Sequence, residues 1–260
     1  MCYYFSLNIA IKPTQKANNT DNLRTTIDKT VTGAINELNS NKSNLTTTPQ
    51  STTANITYYV DHVNGLDTKN GLTSGTAFKT IQYAINKLPQ IINHAVVINR
   101  LAGTNWEDIS IKGFCGSGGL TITGANDYTT ASTFICNSIE ILFCSLKTII
   151  NGLAPNNGGG TYGIRVEGCQ NVYINSINDT LAYSRYGLLA NNSNVNITNS
   201  IISSKSKSIS SENNDSVTSV ANSGTGNIIT LYTVGGTIMK ASTQPSGTTS
   251  ELIYNGGVIR

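Results

Sequence analysis

YGIRVEGCQNVYINS, residues 162–176, returns almost at once as YGLLANNSNVNITNS, residues 186–200. The step from Gly163 to Gly187 is 24 residues; from Val172 to Val195 and from Ile174 to Ile197 it is 23. Similar steps extend both ways. Ile209 follows Leu188 by 21, Val217 follows Val195 by 22, and GGTI at 235–238 recurs as GGVI at 256–259. Upstream, Ile139 and Ile141 precede Ile164 and Val166 by 25, across a Gly-rich insertion at 151–160. Within each repeat, apolar and polar residues alternate over short runs, the period of a strand with one buried face. A repeat of 20–25 residues holding two or three such strands suits one turn of a parallel β-solenoid. Alternate side chains then point inward and stack on the equivalent position one turn on. This predicts Ile164, Val166, Val172, Ile174, Leu188, Ala190, Val195 and Ile197 inside, with Arg165, Tyr173, Leu189 and Asn196 outside. A leucine-rich repeat has a similar period, but its L-x-x-L-x-L signature is absent, and a β-sandwich would show no fixed offset.

The chain ahead of the repeats reads differently. Tyr58-Tyr59-Val60 predicts a strand, followed by a dense turn region with Asp61, Asn64-Gly65, Asp67 and Asn70-Gly71. Phe78, Ile81, Ile85 and Leu88 follow at helical spacing, and Pro89 ends the helix. A solenoid must cover its open apolar end, so residues 58–94 are expected to form a cap on the domain 58–260. Residues 46–57, TTTPQSTTANIT, read as a Thr/Ser-rich linker. Before it, Asp21 is a plausible N-cap, and Ile27, Val31, Ala34, Leu38 and Leu45 step by four, three, four and seven, with polar Asn41 between the last two. So narrow a seam fits a short coiled-coil stalk, in which a buried Asn fixes register; a lone amphipathic helix lying on the solenoid is the alternative. Gly33 weakens that helix by about 1 kcal/mol relative to Ala, which favours tertiary or quaternary support. Residues 1–45 are therefore expected to be an attachment segment and helical stalk.

Composition narrows the function classes. Only 12% of residues are charged and the net charge is +3, with no Lys/Arg cluster to face a phosphate backbone, so nucleic acid is not an expected partner. Lys205-Ser206-Lys207 reads as a solvated turn. The 33 asparagines suit turns and side-chain hydrogen-bond ladders. Five cysteines, an odd number without C-x-x-C spacing, support neither a disulfide framework nor a zinc site and read as small apolar residues. Residues 1–11 lack the basic n-region of a signal peptide, and no run reaches the ~18 apolar residues of a membrane span.

The segment YYVDHVNGLDTKNGLTSGTAFKTIQYAINKLPQIINHAVVINRLAGTNWEDISI, residues 58–111, resembles the opening of pectate-lyase-like right-handed β-helix proteins, in the form found in tail fibres and appendages of phages of Gram-positive bacteria. Asp61, Gly65, Asp67, Asn70, Gly71, Phe78, Thr80, Ile81 and Ala84 fit that motif. TVTGAINELNSNK at 30–42 resembles a helical segment common in phage structural proteins, and the last 26 residues resemble the C-terminal turns of such appendages. The resemblance implies an all-β, right-handed parallel β-helix with an N-terminal capping helix. It further implies a virion location after assembly in the host cytoplasm, commonly a homotrimer, with other tail or baseplate proteins holding the N-terminus. The fold hosts lyases, hydrolases and inert fibres alike, so the resemblance is weak for activity.

Chemistry has few candidates. A glycosidase or lyase needs grouped carboxylates. Glu107 and Asp108 are adjacent and should point to opposite faces, while Glu140, Glu167 and Asp179 lie on or beside successive turns and could converge. Asp61, Asp67 and Asn70 could offer oxygens to calcium, but turn-forming Asx residues explain them equally well. His62 and His94 are too far apart in sequence to suggest a dyad. No catalytic set, metal site or cofactor is assigned. Tyr183, Arg185 and Tyr186 cluster at one turn, Tyr162 holds the matching position one coil earlier, and Trp106 is the only tryptophan. Aromatic rings beside a guanidinium suit sugar rings, though turn tyrosines also serve packing. The expected role is an appendage that adsorbs to a host cell-surface polysaccharide, with a polysaccharide depolymerase as the alternative.

Overall fold

The computed structural model describes residues 51–156, 160–180 and 185–260. The helical seam from Ile27 through Asn41 to Leu45, and Tyr183, lie outside these residues. The described chain is a parallel β-solenoid of about seven turns with little helix. A first wall of nine parallel strands runs from Ile56–Val60 to Val258–Ile259, and a second of seven runs from Asp108–Lys112 to Gly247–Tyr254. A third wall is made of short pieces: Gly103–Thr104, Phe134–Cys136 and Ala154–Pro155 pair together, and Asn178–Asp179 pairs with Ile201–Ile202.

The sequence offsets are the strand register. Ile164 pairs with Ile139 on one side and Leu188 on the other; Val172 pairs with Val195, Ile174 with Ile197 and Ile238 with Ile259. Ile109, Ile139, Ile164, Leu188, Ile209 and Leu231 form one inward column of the second wall, each no more than 2% exposed. Burying one such aliphatic side chain stabilises the fold by about 1.5–3 kcal/mol, so a stack of isoleucines and leucines holds the turns in register. All eight residues expected inside are buried, and Arg165, Tyr173, Leu189 and Asn196 are partly exposed on the outside. Toward the C-terminus two of the inward columns turn polar: Ala190 is followed by Ser211 and Thr233, and Ile197 by Ser219.

Corners bury backbone amides that no ladder serves, and each takes a side chain from the next turn. The Cys144 amide donates to Cys169 Sγ at 3.2 Å, Cys169 to Ser193 Oγ at 3.1 Å, and Ser193 to Asp215 Oδ1 at 2.8 Å. At another corner Ile177 donates to Ser200 Oγ and Ser200 to Asn222 Oδ1. Asn192 and Asn199 hold φ of 49° and 48° there, a conformation asparagine tolerates better than most residues.

Residues 58–94 contain helix α1, Ile81–Asn86, shorter than the Phe78–Leu88 periodicity predicts. Thr80 caps it by accepting from the Tyr83 amide. Glu107 reaches in from the first full turn and accepts from the Ile81 and Gln82 amides, both at 3.0 Å. Phe78, Ile81, Ala84, Ile85 and Leu88 are all buried in the core. Residues 51–55 pack alongside: Thr52 is buried, and its hydroxyl accepts from the amides of Asn93 and His94.

Candidate functional site

The outer face of the second wall concentrates the polar and aromatic side chains. Its central column runs Ser110, Glu140, Arg165, Leu189, Ser210, Tyr232 and Leu252, each in register with the next. Arg165 sits between two carboxylates, 3.4 Å from Glu140 and hydrogen-bonded to Glu167. Tyr162 donates its hydroxyl to Glu140, and the Arg165 guanidinium lies 5.8 Å from the Tyr162 ring centre. Partial burial and the Glu140 carboxylate raise the Tyr162 phenol above its ordinary pKa. Two rungs on, the Lys207 ammonium lies 3.4 Å from the Tyr232 ring centre, 4.9 Å from that of Tyr186 and 3.9 Å from Glu212. Burial lowers the Lys207 pKa.

Beside Tyr162 is a hollow of about 310 Å³ lined by Asp108, Asn137, Ser138, Glu140, Thr161 and Tyr162. Asp108 accepts from Asn137 Nδ2 at 2.7 Å and from Ser138 Oγ at 2.6 Å. Glu107, its neighbour, turns the other way to cap α1. The two carboxylates of the hollow therefore come from adjacent turns, held by neutral donors and by Arg165.

The structure sorts the expected binding residues. Tyr162 and Tyr186 pair directly on adjacent strands. Tyr162 is partly exposed and borders the hollow; Tyr186 is 8% exposed, with Arg185 at 5.5 Å and Lys207 packed on its ring. Arg185 itself is exposed. Trp106 is 60% exposed on the corner just ahead of Asp108. Of the three carboxylates that could converge, Glu140 and Glu167 do so through Arg165. Asp179 does not: it lies inside the solenoid, 2.6 Å from Lys205. The reading of Lys205-Ser206-Lys207 as a solvated turn is thereby corrected. Lys205 is 2% exposed, and Lys207 opens a strand of the second wall. Lys207 follows Tyr186 by the same 21 residues that separate Leu188 from Ile209, a signal that could have placed it on this face.

Ahead of α1, Asp61 accepts from the amides of Val63 and Asn64, Asp67 from that of Lys79, and Asn70 from that of Leu72. These oxygens shape turns. Among the described residues, no group of three or more His, Cys, Asp or Glu side chains is placed to hold a metal. His62 is buried beside Arg100, and burial first, then that guanidinium, lowers its pKa to about 4. His94 lies apart from it, bonded to Thr52. Compared with known proteins, the chain matches no family model, no curated protein and no solved structure.

Proposed function

We propose that this chain is a virion tail appendage that binds a host cell-surface polysaccharide along the outer face of its second wall without cleaving it. The hollow beside Tyr162 carries the reading. Carboxylate, amide and hydroxyl groups converge on it beside an aromatic ring, the mixture that holds sugar hydroxyls and a sugar's apolar face. Shallow binding at one copy is raised by many copies on a particle through avidity. The resemblance of residues 58–111 supports the virion setting, a homotrimer and an N-terminus held by other tail or baseplate proteins. The coils are taken as right-handed, the hand that strand–crossover–strand connections overwhelmingly adopt.

A depolymerase is the second reading, favoured by the presence of Asp108 and Glu140 in one hollow. Against it, both carboxylates are engaged by protein donors, which suits holding more than activating a water. Purified protein incubated with host envelope polysaccharide should leave its chain length unchanged and release no reducing or unsaturated ends. Steady shortening, abolished by Glu140→Gln, would replace the binding reading with the enzymatic one. Tyr162→Ala should lower adsorption to host cells; unchanged adsorption would remove the hollow from recognition.

A further inference from the structure

We propose that a second hollow, on the third wall, is a binding site for one 2-acetamido sugar unit. This hollow measures about 240 Å³ and lies around the corner from Tyr162, between the Phe134–Cys136 and Ala154–Pro155 strands and the end of Asn178–Asp179. Ile135, Ala154 and Pro155 give it an apolar side; at the rim are Asn178 and two exposed hydroxyls, Ser132, which donates to the Thr129 carbonyl, and Thr180, which donates to Asn178 Oδ1, so both oxygens are left to accept. Asn156 also lines it. That side chain is 7% exposed, and its Oδ1 has no hydrogen-bond partner.

A buried amide oxygen without a donor is destabilising, so its position calls for an explanation. Other buried polar atoms also lack partners, among them Thr148 Oγ1, Ser208 Oγ and Thr233 Oγ1. None of those residues lines this hollow or the one beside Tyr162. Among these described atoms, the one whose residue borders a space a ligand can enter is Asn156 Oδ1. The oxygen itself is sealed from solvent as it stands, and rotation about its broad terminal torsion would present it to the hollow.

The lining selects the ligand. It contains no charged side chain, so a neutral group fits. The orphan oxygen requires an N–H or O–H donor. The apolar side requires something small and apolar next to that donor. An acetamido group supplies both: its N–H to Asn156 and its methyl to Ile135, Ala154 and Pro155. The ring hydroxyls then meet Ser132 and Thr180. A single water would satisfy the oxygen but leave the apolar side wet. This site shares no residue with the outer-face hollow and stands independently of the reading given for it.

Saturation-transfer NMR on the full chain would test the assignment with the methyl glycosides of N-acetylglucosamine, glucosamine and glucose. The N-acetyl compound should bind at least ten-fold more tightly than the other two. Thr180→Trp, a rim change that fills the hollow from outside, should weaken it at least ten-fold, and Ser132→Trp should do the same. Circular dichroism and Tm would show that both variants fold. The preference for the N-acetyl compound over the other two sugars should survive Tyr162→Ala. Equal binding of all three sugars, binding by none, or normal binding to both folded Trp variants would each overturn the proposal. Loss with Tyr162→Ala alone would place the sugar on the outer face and leave that reading standing.

Discussion

Ile174 and Tyr173 are adjacent on one strand and face opposite environments. Ile174 is fully buried, with Ile150 and Ile197 paired above and below it. Tyr173 faces outward, and the Lys147 ammonium lies 4.9 Å from its ring centre. An aspartate at 174 would place a carboxylate among aliphatic side chains with no donor, a cost of several kcal/mol. Ile174→Asp should therefore abolish the folded state, while Tyr173→Asp should keep it with a modest loss. Denaturation midpoints of the two variants decide this; equal effects would show that the inward and outward columns are exchanged. A residue-level constraint of another kind holds Gly163. A Cβ there would stand 2.3 Å from Asp179 Oδ2, so the glycine is fixed by a side chain of the third wall and not by its own backbone.

The third wall has strands of only two or three residues, so backbone pairing holds it weakly, and a buried ion pair stands at its corner. The Asp179 and Lys205 side chains are 2% and 1% exposed. Burial pushes the Asp179 pKa up to about 7 in spite of the ammonium beside it. The two partners should not be equally costly to remove. Asp179→Asn removes the carboxylate that lies 2.6 Å from the buried Lys205 ammonium and should destabilise the fold. Lys205→Met should cost less, because the carboxyl can take a proton. In that variant the folded state holds the proton to higher pH than the unfolded chain, whose carboxyl titrates near ~3.9. Between those two pKa values the native state binds more protons, so stability falls as pH rises. Chemical denaturation of Lys205→Met should thus give greater stability at about pH 5 than at about pH 8 relative to wild type. The double change to Asn and Met should recover most of the Asp179→Asn loss. A flat pH response would remove Asp179 protonation from the account.

At the scale of the molecule, the described residues from 51 to 260 hold the walls, the corner ladders and helix α1. A chain starting at residue 51 should therefore unfold cooperatively with a β-rich circular dichroism spectrum. If the seam from Ile27 to Leu45 mediates assembly, the full chain should sediment as a trimer and the shortened chain as a monomer. A monomeric full chain, or normal incorporation of the shortened chain into particles, would sink the attachment role. What the sequence determined by itself was the period, the strand pairing and the inward columns. A strand alternates every two residues, and stacking demands the same chemical class at each offset, so Val172 and Val195 or Ile174 and Ile197 announce their contact. Only the tertiary structure decided the corners. There residues such as Asn192 and Asn199 leave strand geometry, the two-residue alternation is lost, and facing can no longer be counted along the chain. Hence Asp179 and Lys205 turned out to be inside and Lys207 outside. The two hollows were equally hidden, because each is enclosed by side chains from different turns whose separation in sequence carries no fixed spacing.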